Sequence, residues 1–216
     1  MIVFPMTHEV ARSLSSKMSG RRPWNAGRAV GQKKPFTIEE ARRLKDLLRA
    51  AGRCRDLALA SVAFDSALRC CDVLALQWDR ILDASGSVKG RVTIRQQKTG
   101  ENVTFELSAK TRVALENLAA EEGTEGFVFP GSTPDTPLRG RQYRRQVKKW
   151  AGLLGLPAED YSTHSLRRTK PAAVYRQTRD PEIARILLGQ RSLMATHRYL
   201  GLGQEEALAK AREVEI

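Results

Sequence analysis

This chain of 216 residues has no apolar run near the roughly eighteen residues that a membrane span requires. Its start, MIVFPMTHEV, has no basic stretch leading into an apolar one, so no secretory signal is evident and a cytoplasmic protein is expected. Cysteine is scarce, with Cys54, Cys70 and Cys71 the only three. Their number is odd, two are adjacent, and no CxxC or Cys/His spacing exists. Neither a disulfide framework nor a zinc site is expected, and the three read as reduced core thiols. No metal and no cofactor is anticipated. Acidic residues are also in deficit: 24 Asp and Glu against 37 Lys and Arg leave a formal charge of +13. A surplus that large predicts a polyanionic partner, most simply nucleic acid. The charge is clustered. Residues 1–36 hold seven Lys/Arg and one Glu, and residues 139–150 hold six Lys/Arg and no acid.

Residues 1–36 have little periodicity. The stretch GRRPWNAGRAVGQKKP is expected to be an extended, flexible arm. Arg21, Arg22, Lys33 and Lys34 make it a candidate DNA contact, with Trp24 as an anchor onto DNA or onto the body. Residues 37–216 read as one domain, long enough for a good core. Thr37-x-x-Glu40 is a capping box that opens a helix to about Ala50, with Ile38, Ala41, Leu44, Leu47 and Leu48 as its buried stripe. Residues 54–68 are apolar nearly all round and predict a central helix. Arg69 ends it, and Asp72 is placed to cap the next helix, VLALQWDRI. An arginine in such a place needs a partner. Asp72 and the last carbonyls of the preceding helix are the candidates.

Residues 92–96 and 103–107 alternate as strands, joined by a QKTGEN turn in which Gly100 supplies a positive φ. Lys98 sits at the mouth of that hairpin. Residues 108–122 predict an amphipathic helix, and FVFP a short extended segment. In RGRQYRRQVKKWAGLLGL, Tyr143, Val147, Trp150, Ala151 and Leu154 line one helix face. Arg141, Arg144, Arg145, Lys148 and Lys149 cover the other. Five cations without an acid exceed what solubility requires, so this face is read as a contact for backbone phosphates without sequence preference.

The densest chemistry lies in residues 163–200, THSLRRTKPAAVYRQTRDPEIARILLGQRSLMATHRYL. His164 and Arg167 are three apart and share a helix face. Pro171 removes a backbone donor from that helix and is expected to kink it. Asp180 and Pro181 suit the cap and first position of a second helix, with Ile183, Ile186 and Leu187 as its apolar face and Gly189 as its end. Tyr199 follows on a short helix opened by Ser192. Arginine stays charged and binds phosphate oxygens bidentately, and a tyrosine hydroxyl can form a covalent intermediate. Taken alone, Tyr199 reads as a half-buried helix aromatic.

HxxR, LG-x-x-S and RYL in this order and spacing resemble the C-terminal half of the tyrosine recombinase (phage integrase) family. ALRCCDVLALQWDRI resembles that family's first arginine motif, with Asp72 where the family often has Glu. Lys98-Thr99-Gly100 resembles the hairpin context of its catalytic lysine. The resemblance covers residues 37–216 and implies a mainly α fold with a small antiparallel β-sheet (α+β). The activity it implies is site-specific recombination, in which DNA is cut and rejoined through a 3′-phosphotyrosyl intermediate without metal or ATP. Tyr199 would be the nucleophile. Arg69 and Arg167 would clamp the non-bridging oxygens, Lys98 would be the general acid, and His164 would assist proton transfer and positioning. Gln190 stands where the family usually has His, sometimes Trp. Glutamine can donate a hydrogen bond but cannot shuttle a proton, which implies lowered activity. Arg168, Arg191 and His197 would be neighbouring DNA or packing contacts.

The implied partner is double-stranded DNA, with a homo-oligomer assembled on it, no membrane and no small-molecule substrate. The implied place is the cytoplasm of a bacterium or phage host, at the nucleoid. The family's usual N-terminal helical clamping domain is expected to be absent. The tail GLGQEEALAKAREVEI predicts a last short helix with Ala207, Leu208 and Ala211 apolar. In the family such a tail often docks on a neighbouring subunit; by sequence it could equally pack on its own domain. Two other readings stay open. One is a DNA-binding accessory protein that kept the fold and lost efficient chemistry. The other is a relaxing enzyme of the type IB topoisomerase kind.

Overall fold

The capping box at Thr37 forms as the sequence requires. Glu40 N–H donates to Thr37 Oγ1 at 3.1 Å and Thr37 N–H to Glu40 Oε2 at 2.8 Å, opening helix α1 (Ile38–Ala50). The computed structural model describes residues 32–133 and 135–200, together with Leu208 and Arg212. Ala41, Leu44 and Leu48 of α1 are buried, while Ile38 and Leu47 of the expected stripe face outward. The segment that is apolar all round becomes α2 (Cys54–Ser66), with nine of its thirteen residues buried. It packs against α1, against α5 (Ala109–Glu122) and against α7 (Thr163–Thr178), which is why no face of it is polar.

The helix stops earlier than its composition suggests. Ala67 takes a left-handed conformation with φ 50°, and the chain reverses into α3 (Cys70–Leu74). Arg69 is the residue just ahead of α3. Asp72 is not a cap, because it lies inside α3 and is 2% exposed. VLALQWDRI is not one helix either: Ala75 ends α3, and α4 (Trp78–Ile81) is a separate turn. Strands β1 (Arg91–Arg95) and β2 (Asn102–Glu106) form a two-stranded antiparallel sheet, each beginning one residue earlier than the alternation predicts. Val92 pairs with Phe105 and Ile94 with Val103, which puts one face of the hairpin on the core. Gly100 turns the chain with φ 68°.

Ser108 caps α5 by accepting from Thr111 N–H. FVFP makes only isolated bridges, Gln77 with Phe127 and Pro130 with Pro137. Helix α6 (Gly140–Leu153) buries Tyr143, Val147, Trp150 and Ala151. A 3₁₀ turn (Ala158–Asp160) leads to α7, which Ser162 caps. The helix continues through Pro171, which is itself buried. Asp180 accepts from Glu182 N–H at 2.8 Å and opens α8 (Pro181–Leu188), with Pro181 at its first position. The buried face of α8 is Ala184 and Leu188, both 0% exposed. Ile183 and Ile186, expected inside, are 38% and 61% exposed. Helix α9 (Leu193–Leu200) ends the continuous description.

Residues 33–36, which composition assigns to the arm, belong to the body: Phe36 is 1% exposed in the core. The rest of the arm, with Arg21, Arg22 and Trp24, lies outside the described residues, as does the tail apart from Leu208 and Arg212. No described helix is long and apolar enough to cross a membrane.

Candidate active site

The turn after α2 and the N-terminus of α3 place Arg69 where its guanidinium reaches Gln96, at the end of β1. Arg69 Nη1 donates to Gln96 Oε1, so neither Asp72 nor a helix carbonyl is its partner. Gln96 is 1% exposed. Its oxygen also accepts from Thr99 Oγ1 at 2.9 Å, and its Nε2 donates to the Leu188 carbonyl at 3.5 Å. That same carbonyl, the last of α8, accepts from Arg167 Nη2 at 2.8 Å. Arg167 Nη1 donates to the carbonyl of Ala67, also at 2.8 Å. The left-handed Ala67 and the C-terminus of α8 thus hold Arg167, which is 3% exposed. A buried guanidinium satisfied by neutral carbonyls is left without an ion pair, Asp72 acting on it only from a distance, and the negative end of a helix dipole favours it there.

Asp72 has a different task. Its Oδ1 accepts from Gln97 N–H at 2.9 Å, next to Lys98, while its Oδ2 is buried without a partner among the described residues. Lys98 is exposed at the hairpin tip. Together with Arg69 and His164 it lines a cleft of about 840 Å³ closed by residues 132–133 and 136–140. Cys70 and Cys71 line the same cleft. Cys71 is exposed, not the core thiol expected, and burial pushes both thiols up. His164 opens to the cleft. Partial burial lowers its pKa from the usual imidazole value, and the positive charges of Arg167, Arg69, Arg168 and Lys98 lower it further.

Tyr199 lies half-buried behind this group. Its ring centroid is 5.9 Å from the Arg167 guanidinium carbon and 5.5 Å from that of Arg168. Its hydroxyl is buried with no hydrogen-bond partner of acceptable geometry among the described residues. Burial raises the phenol pKa, and the charges of Arg167 first, then Arg168, pull against that rise. Gln190 turns its amide onto the same helix: Thr196, 0% exposed, donates from Oγ1 to Gln190 Oε1 at 2.7 Å. With its oxygen committed, the group Gln190 has left to offer is the N–H₂ donor.

The structure therefore brings Arg69, Lys98 and His164 to one cleft and Arg167, Gln190 and Tyr199 behind it, joined through Gln96 and the Leu188 carbonyl. Arg168 is not on a surface but 9% exposed beneath Tyr199. Lys34 pairs with Asp160, and Lys33 Nζ donates to the Glu159 carbonyl at 2.5 Å. Arg191 pairs with Glu101 of the hairpin, both side chains well exposed. Arg141, Arg144, Arg145, Lys148 and Lys149 all point outward from α6. Sequence reasoning missed Gln96 and Thr196. A polar residue on the core side of a strand end, and a threonine three before Tyr199 on its helix face, were the available signals. Among the described residues no group of three or more His, Cys, Asp or Glu could hold a metal. The arrangement suits a tetrahedral anion, with several cations unpaired by carboxylate near a tyrosine hydroxyl that makes no well-formed hydrogen bond among the described residues.

A sequence profile of the phage integrase family matches residues 34–206. The tyrosine recombinase XerC of Nitrobacter winogradskyi is 26% identical over 187 residues, 81% of this chain and 56% of that protein. The chain therefore spans little more than half of that relative. The probable integrase/recombinase YoeC of Bacillus subtilis is 24% identical over 173 residues, covering 80% of this chain and 91% of YoeC. In fold, the chain matches the crystal structure of the XerH site-specific recombinase bound to palindromic difH substrate in a post-cleavage complex. The TM-score is 0.66 at 17% identity, over 84% of this chain and 53% of the other.

Proposed function

This chain belongs to the phage integrase family, and from that premise we propose that it is a site-specific tyrosine recombinase that cleaves and rejoins duplex DNA. The observation that carries the reading is the convergence of Arg69, Arg167, Lys98 and His164 on one another, with the buried Tyr199 hydroxyl next to Arg167 and holding no well-formed hydrogen bond among the described residues. Tyr199 Oη attacks the backbone phosphorus. A P–O bond to the tyrosine forms, the P–O5′ bond breaks, and the 5′ oxygen leaves with a proton from Lys98. The phosphotyrosyl ester conserves the bond energy until a 5′ hydroxyl attacks it and releases Tyr199. Arg69 and Arg167 bind the non-bridging oxygens, where charge builds in the transition state. Gln190 donates its Nε2–H to one of them, oriented by Thr196. His164, its pKa lowered, is neutral near pH 7 and so takes the phenol proton that Tyr199 gives up as it attacks.

The α6 cations hold the duplex by its phosphates, aided by the arm, and homo-oligomers assemble on the DNA. The protein acts in the bacterial cytoplasm at the nucleoid. XerH, seen on its difH substrate, offers the analogy for the partner. The test is a denaturant-resistant adduct on nicked duplex DNA. Wild type should form it, and Tyr199→Phe should not, with DNA affinity kept because the ring and its packing stay. Arg167→Ala should slow adduct formation by about 10²–10³, as removal of one preorganised donor does. No adduct from wild type on any nicked substrate would leave the accessory-protein reading in its place.

A further inference from the structure

Arg168 has no part in the chemistry above, and it is not where a DNA contact would be. It is 9% exposed, and its Nε is buried without a partner among the described residues. Its Nη1 donates to the carbonyl of Lys33 at 2.5 Å. Its guanidinium carbon stands 5.5 Å from the Tyr199 ring centroid, closer than that of Arg167. A guanidinium over an aromatic face is attracted by the ring quadrupole, and more so where water is excluded.

The residue that holds Arg168 is itself held. Lys34 N–H donates to the Asp160 carbonyl at 3.1 Å, and Lys34 Nζ pairs with the Asp160 carboxylate at 2.7 Å. Phe36 N–H donates to Thr169 Oγ1 at 3.1 Å. The Phe36 ring packs edge-on against Phe64, with centroids 5.7 Å apart, and against Tyr161 at 4.5 Å. Residues 33–36 are thus fastened at and just after the carbonyl that Arg168 uses, by the Lys33 side chain, the Lys34 backbone and side chain, and Phe36. Thr169, the next residue on α7, anchors the same strap.

We propose that Arg168 is a positioning residue for Tyr199: it seats the nucleophile's ring against α7 and is itself set by the Lys33 carbonyl. The proposal rests on the reading of Tyr199 as the nucleophile. Two arginines from consecutive positions of α7 then divide the work. Arg167, gripped by two carbonyls, faces the phosphate. Arg168, gripped by one, faces the ring. The charged groups that bear on the phenol are Arg167 and Arg168 from α7 and Arg69 from the start of α3. With Arg167 and Arg69 unchanged, a variant at Arg168 isolates its share.

The test uses the full chain with Arg168→Gln and Arg168→Lys, each with and without Tyr199→Phe. Three readouts are taken: ultraviolet titration of the Tyr199 phenol without DNA, adduct formation on nicked duplex against pH, and DNA affinity. Arg168→Gln should raise the phenol titration by about one pH unit, the low end for removing a cation at this range. Adduct formation at neutral pH should fall about tenfold, with its alkaline limb moved upward and affinity kept. Arg168→Lys should restore the titration but only part of the rate, since an ammonium cannot span both the Lys33 carbonyl and the ring. An unmoved titration and rate in Arg168→Gln would overturn the proposal. So would a fall in affinity with an unchanged rate for bound complexes, which would make Arg168 a DNA contact. If Arg168→Gln fails to fold, Arg168→Lys decides: wild-type rate overturns the proposal, and reduced rate with a wild-type titration supports it. A wild type that forms no adduct, while the titration still moves in Arg168→Gln, would defeat the nucleophile reading and leave the seating of Tyr199 standing.

Discussion

His164 is the residue whose state can be read most directly. Partial burial and four neighbouring cations lower its pKa from the usual imidazole value of 6.5. The folded protein therefore binds fewer protons than the unfolded chain between its lowered pKa and 6.5. Stability supplied by neutral His164 is complete above 6.5 and is lost as pH falls toward the folded value. A proton NMR titration, assigned with His164→Asn, should show its ring titrating below 6.5 in the free protein and moving upward when duplex DNA brings a phosphate. A free-protein value at or above 6.5 would mean that the cations do not converge on the ring. His164, Arg167, Tyr199, Arg69 and Lys98 could be singled out as candidates in the sequence, because the motifs of the resemblance fix type and spacing. What holds them could not. The partners of Arg69 and Arg167 are a glutamine side chain and two main-chain carbonyls, and any residue can supply a carbonyl. The conformation of Ala67, which aims one of those carbonyls, leaves no mark in the sequence, since positive φ is usually signalled by glycine.

Among the elements, α6 was read correctly from its two faces because fourteen residues give a clear period. Reversing Arg141, Arg145 and Lys148 to Glu should weaken binding to all duplex sequences alike. It should lower the slope of log affinity against log salt by about one for each phosphate no longer neutralised. A defect confined to one sequence would show instead that the face reads bases. Helix α8 is the contrary case. With eight residues, two turns, and apolar side chains over much of its surface, its pattern could not say which half is buried. The tertiary packing at its end decides. Gly189, at φ 56°, lies so close to the hairpin that a Cβ would overlap the Val103 Cγ2 methyl and come within 3.0 Å of Gln96 Nε2. That approach turns Ala184 and Leu188 inward and leaves Ile183 and Ile186 outside. Gly189→Ala should therefore lower the melting temperature by more than the roughly 1 kcal/mol of a left-handed alanine alone, because Val103 and Gln96 must also move. It should slow adduct formation as well, since Gln96 is the partner of Arg69. An alanine variant with wild-type stability would mean that the hairpin and α8 do not touch in solution.

At the scale of the whole molecule, the boundary between arm and body falls earlier than composition placed it. Gly, Pro and Lys density runs to residue 35, but residues 33–36 are already packed, because the chain there meets Asp160, Arg168 and the aromatic cluster of Phe64 and Tyr161. Composition reports how flexible a segment would be alone; it is silent on a carbonyl that a distant arginine requires. This gives two truncations with opposite expectations. Removing residues 1–31 takes away five Lys/Arg and one Glu but leaves the strap. The melting temperature and the rate of adduct formation in bound complexes should hold, while DNA affinity falls. Its salt dependence should flatten by about one unit of slope for each phosphate the arm had neutralised. Removing residues 1–36 also deletes Phe36, 1% exposed, and the Lys33 carbonyl under Arg168. Removal of a buried phenylalanine costs about 3–5 kcal/mol, so a drop in melting temperature of several degrees should follow. Slower cleavage should accompany it even in saturated complexes, because the seat of Tyr199 has gone. If both truncations behave alike in thermal unfolding and in single-turnover cleavage, residues 33–36 are part of the arm after all. If the shorter truncation already slows cleavage in saturated complexes, the arm acts on the chemistry and not only on binding.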